Sequence, residues 1–150
     1  MTAFVRGRRL GVDVGKVRVG VALCDPDGIL ATPLVTLARD MTDAPEPDDI
    51  VRLRALVVEH DIIQVVVGLP VTLAGKHGTA AIDVSAYADR LATAIEPVEV
   101  CLADERMSTV VAARRLSERG VRGKRQRAVV DQAAAVEILQ SWLEHQRRRM

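Results

Sequence analysis

Three carboxylates sit where the surrounding sequence is apolar. Asp13 interrupts Leu10-Gly11-Val12-Asp13-Val14-Gly15, Glu105 follows Val98-Glu99-Val100-Cys101-Leu102-Ala103, and Asp131 lies among Val129, Val130, Ala133, Ala134 and Ala135. Placing an ionised carboxylate in a core costs on the order of several kcal/mol unless a counter-charge or a metal compensates. Three such acids on core elements point to a shared divalent cation. Ligation by oxygen alone favours Mg²⁺ or Mn²⁺.

The cations fall around these acids. Arg18 and Gly20 follow Asp13 closely, and Arg106 follows Glu105. Arg114, Arg115, Arg119, Arg122, Lys124, Arg125 and Arg127 lie between the second and third acids, with Glu118 the one acid among them. Charges spaced along a helix and loop suit a phosphodiester backbone. The plainer reading is a solvated face, but so one-sided a run is unusual for one. The Gly75-Lys76-His77-Gly78 loop adds Lys76 as a backbone contact. His77 reads as solvated, since no second His or Cys has metal spacing. Arg18, Lys76, Arg106, Arg122, Lys124, Arg125 and Arg127 are therefore the expected nucleic-acid contacts.

Each acid also has a plainer reading. The glycines around Asp13 could serve only a tight hairpin, and actin-like and sugar-kinase ATPases open similarly. Asp131 could be an acid favoured by a helix dipole. Ser108 reads as a helix cap and Asp104 as a bystander.

Composition narrows the classes. Phe4, Tyr87 and Trp142 are the chain's aromatic residues, so base stacking on an aromatic platform is not expected as the main binding mode. The 150 residues make one domain, and 49% hydrophobic content supports a core. Residues 1–8 and 146–150 read as flexible tails. Cys24 and Cys101 lie in strand-like contexts and read as small buried hydrophobes. No signal peptide or spanning apolar stretch is legible, so the chain reads as soluble and cytoplasmic, without a membrane partner.

The elements that must position these residues follow from periodicity. Arg9–Val14 and Val17–Cys24 read as a hairpin, and Asp25-Pro26-Asp27-Gly28 as a turn. A third strand over Ile29–Leu37, broken at Pro33, completes a meander. A helix from about Asp48 to His60 takes Asp48 or Asp49 as N-cap. Ile62–Leu69 is a near-continuous apolar run, as in a central parallel strand buried on both faces. A helix with Val84, Tyr87, Ala88, Leu91 and Ile95 on one stripe comes next. A strand over Val98–Ala103, a helix from Ser108 to about Arg119, a basic loop over Val121–Arg127 and a last helix from about Ala128 to Gln146 complete the order. Asp131 heads a stripe with Ala135, Ile138 and Trp142.

The segments GVDVGKVRVGVAL, VVVGLPVTLAGKHG, ADERMST and VVDQAAAVEIL occur in an order and spacing that resembles the YqgF/RuvX family, over about residues 8–145. These are RNase H-like proteins described as pre-16S rRNA nucleases and Holliday junction resolvase homologues. The resemblance implies an α/β, RNase H-like fold: a five-stranded mixed sheet with three antiparallel strands first and helices on both faces. It places the family's catalytic acids on Asp13, Glu105 and Asp131. It also implies phosphodiester hydrolysis in maturing the 5′ end of 16S rRNA, with precursor rRNA and ribosomal particles as partners.

The expected mechanism is two-metal hydrolysis, with Asp13 bridging two Mg²⁺ or Mn²⁺ ions and Glu105 and Asp131 completing one side each. A Holliday junction resolvase on structured DNA uses the same residues and needs a symmetric dimer, so the chain is read as a monomer or homodimer. A nucleic-acid-binding adaptor with vestigial acids is the non-enzymatic alternative. An ATPase of the actin or sugar-kinase type would need a second lobe that this length cannot hold.

Overall fold

The computed structural model describes residues 4–70, 78–105 and 124–148, the last segment with side chains from residue 130. Alternation along each strand separates two sets of side chains. On β1 (Arg9–Val14), Leu10, Val12 and Val14 point to one face, and Gly11 and Asp13 to the other. β2 (Arg18–Cys24) pairs antiparallel with β1, and β3 (Ala31–Ala38) antiparallel with β2. β4 (Gln64–Leu69) and β5 (Glu99–Asp104) extend the sheet in parallel on the other side of β1, giving the order β3-β2-β1-β4-β5. This is the five-stranded mixed sheet expected, with its antiparallel strands first.

Helices cover both faces, which explains why β4 is apolar throughout: Val65, Val66 and Val67 are all buried. α1 (Asp48–Glu59) and α2 (Thr79–Ala94) pack Ile50, Leu53, Val57, Val84, Tyr87 and Leu91 against the large side chains of one face. α3 (Lys124–Arg148) packs Ala135, Ile138, Leu139 and Leu143 against Ala22, Cys24, Val66 and Ala103 on the other. The small residues on that second face let a long helix lie close to the sheet. Among the described residues, no helix is long and apolar enough to cross a membrane.

Several boundaries differ from expectation. The third strand starts at Ala31, because the Asp25 carboxylate accepts the amides of Asp27, Ile29 and Leu30 and holds Ile29 and Leu30 in the turn. β3 runs through Pro33 instead of breaking there. It lies at the sheet edge and is bulged, with Ala22 opposite Pro33 and Val21 opposite Val35. The N-cap of α1 is Pro47, not Asp48 or Asp49. Asp49 is fully buried and accepts the Tyr87 hydroxyl at 2.9 Å. α3 begins at Lys124, so Lys124, Arg125 and Arg127 belong to a helix and not to the expected loop. The helix expected from Ser108 to Arg119 lies outside the described residues.

Residues 4–8 are tied to the domain. Arg9 is buried, stacks at 4.5 Å over the Phe4 ring, and donates to the carbonyls of Val5 and Gly7 and to Gln64 Oε1. Both cysteines are free. Cys24 is buried and Cys101 half-buried, and removal from water pushes both thiol pKa values up, that of Cys101 to about 11.

Candidate active site

The approach of α3 to the sheet is set by three glycines on the small-residue face. A Cβ on Gly11 would lie 2.6 Å from Leu139 Cβ and 2.8 Å from the Ala135 carbonyl oxygen. On Gly20 it would overlap the Asp131 carbonyl oxygen and lie 2.5 Å from the Asp131 carbonyl carbon. On Gly68 it would meet Ile138 Cδ1 at 2.5 Å and Glu105 Oε1 at 3.3 Å. At all three positions glycine is demanded by close approach and not by backbone dihedrals.

These contacts locate the acids. Asp13 pairs directly with Gly20 across β1 and β2, so the backbone of Asp131 rests on the position opposite Asp13. The register that pairs Val12 with Val67 puts Gly68 beside Asp13 one step on, and the Glu105 carboxylate lies against Gly68. All three acids therefore belong to the α3 face, toward the carboxyl ends of β1, β4 and β5, where sites in open α/β sheets collect. Asp13 is 1% exposed. Asp104, one residue before Glu105, falls on the opposite alternation of β5.

Asp131 lies two turns inside α3, away from the first turn where a helix dipole would favour it. Its Oδ2 accepts Arg18 Nε at 2.7 Å, with the two side chains 14% and 25% exposed. Arg18, two residues from Gly20 on β2, shares its face. The structure thus brings one expected phosphate contact onto one expected catalytic acid. Among the described residues, no group of three or more His, Cys, Asp or Glu side chains is arranged to hold a metal. In donor type, an all-carboxylate set carried on strands and a packed helix suits a hard divalent cation. In arrangement, the three acids are not gathered into one ligand set, and one of the two Asp131 oxygens is engaged by Arg18.

Sequence reasoning missed a brace behind the site. Arg39 donates through both terminal nitrogens to Asp83 at 2.7 Å, and one of them also reaches the Gly15 carbonyl at 2.9 Å. Its amide donates to the Val17 carbonyl. The β1–β2 turn between Asp13 and Arg18 is thereby fastened to α2. Hydrogen bonds from Arg39 hold the Asp83 pKa below the usual carboxylate value, and the same pairing raises that of Arg39. No local pattern could reveal this, because 44 residues separate the partners.

Lys76, His77, Arg106 and Arg122 lie outside the described residues. Lys124, Arg125 and Arg127 are placed only as backbone, in the opening turns of α3.

Comparison with known proteins follows the same outline. A family model described as "RuvX: Holliday junction resolvase" matches residues 7–145. A Rhodococcus erythropolis protein with the name "Putative pre-16S rRNA nuclease" is 54% identical over 143 residues, covering 95% of this chain and 81% of the relative. A Mycolicibacterium paratuberculosis protein of the same name is 57% identical over 142 residues, covering 95% and 83%. Among solved structures, T. thermophilus RuvC in complex with a Holliday junction substrate superposes with a TM-score of 0.60 at 16% identity, over 94% of this chain and 96% of that one. A second Thermus thermophilus RuvC structure gives 0.52 at 15% identity. At such low identity the likeness is one of fold, the RNase H-like arrangement expected from the sequence.

Proposed function

This chain belongs to the RuvX family, described as Holliday junction resolvase, and we propose that it is a metal-dependent nuclease that matures the 5′ end of pre-16S rRNA. The observation that carries the reading is the seating of Asp131 on Gly20, opposite Asp13 and beside the Gly68–Glu105 contact. Relatives more than half identical over 95% of the chain carry a pre-16S rRNA nuclease name, which supports RNA as the substrate.

Asp13, Glu105 and Asp131 are the residues that would hold Mg²⁺ or Mn²⁺. Such ions would lower the pKa of the attacking water and neutralise charge developing on the phosphoryl and leaving oxygens. The chain's own part is placement. Asp13 is fixed by a central strand, Asp131 by close packing of α3, and Glu105 by the end of β5. Burial of Asp13 limits water around the reacting phosphate and strengthens the electrostatics there. Lys76, Arg106, Arg122, Lys124, Arg125 and Arg127 would hold the phosphate backbone as the strand crosses the acids. Ribosomal particles are the proposed setting, in the cytoplasm.

Junction resolution is the second reading, favoured by the description of the family. Precursor rRNA and a four-way DNA junction should be incubated side by side with wild-type protein and Asp13→Asn in Mg²⁺, with solution mass measured on the same samples. The expected result is cleavage of precursor rRNA by the wild type and none by Asp13→Asn, with binding retained. Wild-type turnover by Asp13→Asn would overturn the metal mechanism. Cleavage of the junction alone, by a dimer, would replace the RNA reading with the second.

A further inference from the structure

Arg18 is close enough to the acids to affect their chemistry, and its contact is with one of them. The guanidinium meets Asp131 Oδ2 through Nε at 2.7 Å, in a half-buried setting. Asp131 cannot be moved aside freely, because its backbone is wedged on Gly20. The guanidinium takes one of the two carboxylate oxygens, and its positive charge offsets the negative charge that would draw a divalent cation to Asp131. Arg18 and a divalent ion are therefore rivals for one carboxylate.

Among the described residues, the Arg18 side chain is held by Asp131 alone. The Arg18 carbonyl accepts the Gly15 amide at 2.8 Å, and the turn ahead of it is fastened by Arg39, so its backbone is fixed. Its side chain is long, flexible and 25% exposed. Released from Asp131, the guanidinium would stay on the α3 face beside Asp13, with a planar fork suited to phosphate oxygens.

We propose that Arg18 is an exchangeable counter-ion: it competes with a divalent cation for Asp131 and, once displaced, grips a phosphate of the nucleic-acid substrate. This rests on the metal-dependent reading above. Cation and substrate then load together, since the ion frees the arginine that the phosphate needs. The proposal carries a sign that a plain substrate contact does not. Removing a competitor tightens metal binding, whereas removing a simple phosphate contact leaves it unchanged and removing a structural brace weakens it.

The test titrates MnCl₂ into the full chain by calorimetry, for wild type, Arg18→Gln, Arg18→Lys, Lys16→Gln and Asp13→Asn. Binding of a labelled RNA oligonucleotide is followed by anisotropy against salt. Arg18→Gln should bind Mn²⁺ about fivefold more tightly, as expected for loss of a partly exposed ion pair. It should bind RNA more weakly, with a log–log salt slope smaller by about one. Arg18→Lys, which keeps the charge without the fork, should fall between, and it decides the matter should Arg18→Gln fail to fold. Lys16→Gln removes an exposed charge from the same turn without touching Asp131, and should change Mn²⁺ affinity by less than about twofold.

Unchanged or weaker Mn²⁺ binding by Arg18→Gln, or equal tightening by Lys16→Gln, overturns the exchange while leaving the metal reading in place. Equal Mn²⁺ binding by wild type and Asp13→Asn overturns the metal reading and the exchange with it.

Discussion

Replacing Gly20 by alanine tests the seating of Asp131 directly. The added Cβ would stand 2.5 Å from the Asp131 carbonyl carbon, and the obstacle is helix backbone, which cannot rotate away. Restoring an ordinary contact of roughly 3.4 Å to the carbonyl carbon alone requires α3 to retreat by about 0.9 Å at this turn, and clearing the nearer carbonyl oxygen requires more. Overpacking of this kind costs about 1–3 kcal/mol, and rigid backbone on both sides argues for the upper end. For a chain of this size, about 3 kcal/mol lowers Tm by about 6–12 °C. The same displacement carries the Asp131 carboxylate off its position, and a misplacement near 1 Å lowers cleavage by about 10²-fold. Gly11→Ala meets Ala135 and Leu139 at 2.8 and 2.6 Å and should destabilise comparably, yet it lies a step farther from the acids and should cost less activity. Gly68→Ala meets first the end of the Ile138 side chain, which can rotate, so about 1 kcal/mol is expected. Thermal melts by circular dichroism and cleavage of precursor rRNA read both orders. A Gly20→Ala protein that melts within about 2 °C of wild type and cleaves normally would refute the proposed close packing of α3 on β2.

Asp83→Asn should loosen the turn that carries Asp13 and Arg18. Asp83 is 41% exposed while the Arg39 side chain is 2% exposed, so the cost is discounted to about 1–2 kcal/mol, or a fall of about 3–6 °C in Tm. Because Arg39 lowers the Asp83 pKa, this contribution is complete above the ordinary carboxylate range and is lost as pH falls through the lowered value. The Tm gap between wild type and Asp83→Asn should thus be constant above about pH 5 and narrow progressively below it; a gap unchanged down to pH 2 would count against the ion pair. With its thiol pKa pushed up to about 11, Cys101 should react slowly with Ellman's reagent at pH 8 in the folded protein and fast after unfolding, so rapid reaction in the native state would refute its burial. Replacing Arg122, Lys124, Arg125 and Arg127 together by serine should weaken nucleic-acid binding and raise KM with kcat little changed, flattening the salt dependence by about one unit of slope per lost contact. A wild-type slope would move the binding surface elsewhere.

Much of this protein could be read before folding, because the information was local and periodic. The apolar run at 62–69 identifies β4 as a strand covered on both faces, and alternation around Asp13 identifies the hairpin. Asp13, Glu105 and Asp131 stood out because carboxylates are costly in apolar surroundings. Other features required the tertiary structure. Glycines at 11, 20 and 68 resemble turn or flexibility residues in sequence, and only the register of the strands beneath α3 shows that they make room for helix backbone. Asp49 looked like a cap until Tyr87 of another helix reached it, and Arg39 gave no sign of bracing the turn through Asp83. The pairing of Arg18 with Asp131 spans 113 residues and depends on how closely α3 approaches the sheet. Local composition sets which residues are awkward in water or in a core; which charge answers which is decided by packing distance, and no spacing along the chain encodes it.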